Sequence, residues 1–207
     1  MTLTSKQAAA GFWDKVYEGN DFAFGREPNA WFASKASYLK KGQRILMVAD
    51  GEGRNSIWCA QKGLVVDAFD LSAKGIEKAR HFALESGVKV NFTVAGVDDW
   101  DWEPNAYDAV TLILCQFATP SMRKKLFADC IKTLKTGGLF FVLGYTVKQL
   151  EYGTGGPPNV AQLYTETLLR DLVQGMDILE LESFDTEVAA GRHRGKSALV
   201  GMVSRKK

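Results

Sequence analysis

The pattern of apolar and polar positions divides this chain in two. From about residue 44, short apolar runs alternate with amphipathic stretches. Arg44–Val48, Leu64–Phe69, Lys89–Val94, Ala109–Leu114 and Leu139–Leu143 read as strands. Ala109–Leu114 is nearly pure apolar, as expected of a central parallel strand covered on both faces. Between them, Asn55–Lys62 reads as a helix that stops before Gly63, and Ser72 caps a helix that runs to Ser86 and stops at Gly87. Thr119-Pro120 opens another helix, with Met122, Leu126, Phe127, Cys130, Ile131 and Leu134 on one face. Thr136-Gly137-Gly138 turns the chain into the fifth strand.

After residue 145 the alternation weakens. Tyr152–Pro158 reads as a loop, Thr165–Val173 as a helix, and Ile178–Ser183 and Ala198–Val203 as an antiparallel hairpin. The expected fold class is α/β: a Rossmann-like, doubly wound sheet of seven strands, mostly parallel, with the hairpin at its C-terminal edge and helices on both faces. Residues 1–43 contribute no strand. They carry Phe12, Trp13, Tyr17, Phe22, Phe24, Trp31 and Phe32, too aromatic for a disordered leader, and read as two short helices joined by a loop. One domain over 1–207 is expected, with 1–43 as an aromatic lid on a core of 44–207.

The chemistry sits where the first strand ends. Ile45–Val48 runs into Ala49-Asp50-Gly51-Glu52-Gly53-Arg54-Asn55, and the second strand ends in Asp70. Strand, glycine turn, helix and parallel strand with an acid at its tip form a nucleoside-binding unit, because a carboxylate accepts hydrogen bonds from both ribose hydroxyls. A nicotinamide site calls for a third glycine at position 56, where this chain has Ser. That makes a nucleotide-dependent reductase the weaker alternative.

Composition narrows the partners. The net charge of +2 offers no field for nucleic acid. No apolar run approaches the ~20 residues of a membrane helix, and no signal core opens the chain. Cys59, Cys115 and Cys130 are odd in number and lack metal-ligand spacing, so they read as reduced thiols of a cytoplasmic protein, with no metal. Cys115 lacks a basic neighbour in sequence and reads as pocket wall together with Gln116. A small-molecule substrate and a monomer or homodimer are expected. His81 lies within a helix and reads as an exposed spectator. His193 lies in the Gly191–Gly195 loop between Arg192 and Arg194, and both a solvated turn and a substrate-facing role stand open for it.

These motifs resemble the class I S-adenosylmethionine-dependent methyltransferases, and within them the small-molecule subgroup with tellurite-resistance and thiopurine methyltransferase-like proteins. The resemblance rests on Tyr17, Gly25-Arg26-Glu27-Pro28-Asn29, Gly51-Glu52-Gly53-Arg54-Asn55, Asp70-Leu71-Ser72, Lys78-Ala79, Gln149, Gly155-Gly156-Pro157 and His193-Arg194-Gly195. It implies S-adenosyl-L-methionine as cofactor, held by Tyr17, Arg26, Ala49, Asp50, Gly51, Glu52, Gly53, Asn55, Asp70, Leu71, Ser72, Gly96, Val97, Asp98, Cys115 and Gln116. It implies transfer of the methyl group to a soft or anionic acceptor such as a thiol or oxyanion, with His193, Tyr145 and Tyr152 as candidate catalytic residues. The chain departs from the family at Met47 and Gly96, where an acid is usual, and at Ala49 and Asp50, where a glycine and a small residue are usual. Asp50 reads either as solvated surface or as the charge for the cofactor's amino group. A protein that binds the cofactor without turnover is a further alternative.

Overall fold

A computed structural model describes residues 5–188 and 191–207, the side chain of His193 excepted. The chain divides into two compact units that meet in sequence at Asp101 and Trp102.

The first unit opens with helix α1 (Ser5–Val16) and the short α2 (Ala30–Ser34), as the aromatic pattern suggests. Asn29 caps α2 by accepting from the Phe32 N–H. Then β1 (Arg44–Val48), α3 (Arg54–Gln61), β2 (Val65–Asp70), α4 (Ala73–Glu85) and β3 (Asn91–Val94) follow, the strands forming a parallel ladder with β1 beside β2 and β2 beside β3. Ile45, Leu46, Met47 and Val48 are all buried, which explains the unbroken apolar run of β1. β3 lies at the edge and is little buried, with Val94 about half exposed. Ser72 caps α4: its Oγ accepts from the Gly75 N–H at 3.0 Å and donates to Asp14 Oδ1 of α1 at 2.5 Å.

The second unit contains β4 (Tyr107–Ile113), α5 (Pro120–Thr133), β5 (Leu134–Tyr145), α6 (Gln149–Tyr152), α7 (Glu166–Leu172), β6 (Met176–Val188) and β7 (Gly195–Lys206). β4 and β5 are parallel, and β7 lies antiparallel between β5 and β6. The sheet has seven strands in the order β3-β2-β1-β4-β5-β7-β6, so the expected architecture is observed.

Three local expectations change. Thr136-Gly137-Gly138 is not a turn that precedes the strand; β5 starts at Leu134, opposite Tyr107, and these residues form a bulge before the ladder resumes at Leu139 opposite Ala109. Gly137 supplies the positive φ of 79° that the bulge needs. The hairpin strands run several residues past both expected ends. Glu180, Glu182, Asp185 and Glu187 punctuate β6, as suits an edge strand that must stay unpaired on its outer side. On α5, Met122 faces outward while Arg123 is buried. The Arg123 guanidinium lies over the Tyr164 ring and donates to the Ala161 carbonyl.

Ser72 ties the start of α4 to α1 and is fully buried. Ser72→Ala is expected to lower unfolding stability by about 1–2 kcal/mol, the usual cost of a lost cap. Chemical denaturation of the variant measures it.

Candidate functional site: the glycine turn and its N-terminal strap

β1 ends in a backbone that ordinary residues avoid. Ala49, Gly51 and Gly53 have φ of 52°, 60° and 85°. The chain thus reverses within a few residues and delivers Gly53 as the N-cap of α3. The turn is gripped from the tip of β2. Asp70 is buried; its Oδ2 accepts from the Gly51 N–H at 2.9 Å and its Oδ1 accepts from the Ser72 N–H at 2.8 Å. Burial pushes the Asp70 carboxyl above its ordinary value, the two backbone hydrogen bonds oppose that, and the nearby Asp14 charge adds to it. Leu71 continues from Asp70 into the Ser72 cap.

The rest of the Gly-Glu-Gly-Arg-Asn motif turns toward the N-terminal segment. Glu52, buried, accepts from the Ala23 N–H at 2.8 Å and pairs with Lys78 of α4 at 2.5 Å. Lys78 also donates to the Asp21 carbonyl. Arg54 donates to the Phe24 carbonyl at 2.9 Å, and Asn55 Oδ1 accepts from the Asn29 N–H at 2.9 Å. Residues 21–29 are therefore a strap held by four side chains around the turn. Tyr17 completes it. Its ring is 95% buried, stacks on Trp13 with centroids 5.6 Å apart, and meets Phe24 edge-on at 6.2 Å. A Cβ on Gly51 would stand 2.5 Å from the Tyr17 hydroxyl, and one on Gly75 2.9 Å from its ring. Close packing under Tyr17 thus requires both glycines.

The structure brings Tyr17, Ala49, Asp50, Gly51, Glu52, Gly53, Asn55, Asp70, Leu71 and Ser72 together around one turn. Arg26 stands apart: its guanidinium lies 4.2 Å from the Phe82 ring centroid and pairs with Glu85, which holds that carboxyl below its usual range. Glu85 also pairs with His81, which is exposed as expected. After β3, Gly96, Val97 and Asp98 form the start of a turn in which the Gly96 N–H donates to Asp99, and Asp99 pairs with Lys6 of α1. Trp100 stacks on Phe69 of β2 at 4.6 Å, and its Nε1 is buried without a partner.

Asp50 is not solvated surface. The residue keeps some exposure, but its Oδ2 is sealed from water and has no hydrogen-bond partner. Burial pushes its carboxyl up to about 7; Ser56 in the first turn of α3 opposes the rise, and the neighbouring Asp70 charge adds to it. Gly53 has no side chain to cap α3, and the Asp50 carboxyl instead takes hydrogen bonds from Ser56 in that helix's first turn.

In the second unit, β4 also ends in a left-handed non-glycine residue, Leu114 at φ 60°. Cys115 and Gln116 follow. Gln116 spends its amide on structure: Oε1 accepts from the Tyr145 N–H, and Nε2 donates to the Tyr145 and Gln162 carbonyls. Cys115 is a buried thiol. Tyr145 is buried beneath Gly156, where a Cβ would meet its ring at 2.9 Å. Tyr152 donates to Asp185 Oδ2 at 2.7 Å in a surface group with Lys148. Gln149 staples the Gly153–Gly156 loop to β7, accepting from the Ala198 N–H and donating to the Gly155 carbonyl. The His193 side chain lies outside the described residues. Among the described residues no His, Cys, Asp or Glu cluster suits a metal ion.

The sequence of residues 45–138 matches a family described as a methyltransferase domain. It is 33% identical over 128 residues to a ubiquinone biosynthesis O-methyltransferase of Vibrio atlanticus, covering 60% of this chain and 54% of that protein. A protein of the same name from Xanthomonas euvesicatoria is 36% identical over 102 residues, covering 49% and 42%. The chain thus spans about half the length of the curated relatives it matches. Residues 45–138 thus match a methyltransferase domain. Solved structures share the fold: TehB from Haemophilus influenzae superposes with a TM-score of 0.71 at 16% identity, covering 96% of this chain and 67% of that one. A methyltransferase from Methanosarcina mazei gives 0.71 at 18%, covering 87% and 98%.

S-adenosylmethionine is the cofactor of such domains, and the donor set fits it. Asp70 keeps lone pairs beyond its two backbone bonds for ribose hydroxyls. The orphaned Trp100 Nε1 and the glycine backbone suit a nucleoside with acceptors on one face.

Because the Asp50 carboxyl is raised from 3.8 to about 7, the folded state holds a proton there that the unfolded chain has lost. Stability from this group is full below about pH 4 and is lost as pH rises to about 7. Asp50→Asn is expected to remove that decline, which urea unfolding across this range checks.

Proposed function

We propose that the protein transfers a methyl group from S-adenosylmethionine to an oxygen or sulfur nucleophile of a small-molecule acceptor. The observation that carries the reading is Asp70, a buried carboxylate at the tip of β2 bonded to the Gly51 N–H of the turn. In this role its free lone pairs accept from the ribose while its backbone bonds hold the turn in register. Glu52, Arg54, Asn55 and Lys78 keep the strap closed over the same turn, and Tyr17 brings an aromatic wall that suits a sulfonium cation and excludes water.

The chemistry is an in-line displacement. The acceptor's lone pair forms the new bond to the methyl carbon, and the carbon–sulfur bond breaks with its electron pair going to sulfur. Oxygen is the preferred acceptor atom because the curated relatives are named O-methyltransferases. The nucleophile enters ionised. Tyr152 is committed to Asp185, and Tyr145 is buried. His81 is committed to Glu85 on the surface of α4. With Tyr152 and His81 paired and Tyr145 buried, the contribution of these described residues is position and desolvation rather than proton abstraction.

Two measurements test this. Calorimetry with S-adenosylhomocysteine is expected to show binding that Asp70→Ala weakens by about 1.5–3 kcal/mol, the range for hydrogen bonds to a charged group; unchanged affinity in a folded variant removes Asp70 from the site. Methyl transfer to a graded series of phenols and thiols is expected to follow the ionised fraction of each acceptor. A rate that instead follows one protein group across all acceptors contradicts base-free transfer.

A further inference from the structure

We propose that the cavity between α3 and α4 is a second binding site, and that its ligand is an uncharged purine nucleoside. Its residues and its ligand are independent of the methyl-transfer reading.

α3 and α4 approach most closely near Gly53 and Ala79, where a Cβ on Gly53 would stand 2.9 Å from the Ala79 Cβ. Toward their C-termini they line a cavity of about 460 Å³, to which residues 26–28 of the strap contribute a wall. That volume lies within the roughly 300–1,000 Å³ usual for small-molecule sites. Trp58 of α3 and Phe82 of α4 supply its aromatic surface. Each ring is fixed by a neighbour. Phe32 of α2 meets Trp58 edge-on with centroids 5.5 Å apart, and Phe22 meets Phe82 in the same way at 5.2 Å. The Arg26 guanidinium lies 4.2 Å from the Phe82 centroid and pairs with Glu85. The surface on which a flat ring stacks is therefore ordered before the ligand arrives, which lowers the entropic cost of binding. Arg26, which stands apart from the glycine turn, has its place in this second site.

The charges in the lining select against ions. Two arginines and two glutamates line the cavity, so it carries no net charge. Arg26 is matched by Glu85, and Arg54 donates to the Phe24 carbonyl. A neutral ring with a polar edge gains more here than a charged one. Gln61 lies on the same face of α3 as Arg54 and Trp58, and it is exposed at the rim. Among the described residues neither its side-chain amide nor the Glu27 carboxylate meets a protein partner. A primary amide presents a donor beside an acceptor, the pattern that pairs with the N6 and N7 edge of adenine. A carboxylate accepts from vicinal ribose hydroxyls. Stacking on the aromatic surface supplies affinity that neither polar contact gives alone.

The test is an NMR titration of adenosine into isotope-labelled protein saturated with S-adenosylhomocysteine, which occupies the glycine turn in the methyl-transfer reading. The Trp58 indole N–H, the Gln61 side-chain amide and the backbone amides of Arg26 and Glu27 are expected to shift together and saturate. Trp58→Ala and Gln61→Leu are each expected to weaken the affinity read at Arg26 and Glu27 by about ten-fold, the scale of one lost stacking or edge contact. If Trp58→Ala does not fold, Gln61→Leu decides alone, because Gln61 is exposed. Indole, which stacks but lacks the adenine edge, is expected to bind about ten-fold more weakly than adenosine. The proposal is overturned by the absence of shifts at these groups, by a Gln61→Leu variant that binds adenosine as wild type does, or by indole that binds as tightly. If wild type does not bind S-adenosylhomocysteine, the methyl-transfer reading falls. Adenosine shifts at Trp58 and Gln61 then still support the second site, and shifts confined to Gly51 and Asp70 overturn it.

Discussion

Two hydrogen bonds accepted by one carboxylate hold the functional half of this molecule together. Asp70 ends β2 and takes the Gly51 N–H on one oxygen and the Ser72 N–H on the other. The first bond fixes the turn between β1 and α3; the second fixes the start of α4. Two helices that cover the parallel strands are thus registered by the same buried acid. The arrangement demands positive φ at Gly51 and Gly53, and at Ala49 it imposes that conformation on a residue with a Cβ. The strain is sustained because the strand ends beside it, Met47-Val48 and Phe69-Asp70, are buried.

Around that centre the N-terminal strap closes by polar contacts rather than by bulk hydrophobic burial. Glu52, Arg54, Asn55 and Lys78 each reach a backbone group of residues 21–29. A buried carboxylate such as Glu52 is tolerable only because Lys78 and the Ala23 N–H both meet it. The motif that marks the cofactor site in sequence is therefore two devices in one. Its glycines shape the turn, and its polar residues fasten the segment that covers it.

Much of this was legible from residue order. The strands were visible as apolar runs, Ser72 and Thr119 as caps, and Asp70 as the acid at a strand tip, because each signal is local. The roles of Glu52 and Asn55 were not, since their partners lie 26 to 29 positions away and no periodicity encodes such contacts. Gln116 gave no sign that its amide would be consumed by Tyr145 and Gln162. The burial of Arg123 was not legible because a charged residue is counted as outward-facing, whereas an aromatic ring and one carbonyl suffice to bury its stem and head. The β6–β7 hairpin is longer than its apolar stretch because edge strands carry charge along their outer face.

The central claim is that the strap and the glycine turn act as one unit around the cofactor. Hydrogen exchange read residue by residue, with and without S-adenosylhomocysteine, tests it most directly. The account predicts that the amides of Ala23 and Asn29 slow together with that of Gly51 when the ligand is added. Slowing confined to the turn, with residues 21–29 exchanging as before, would contradict it.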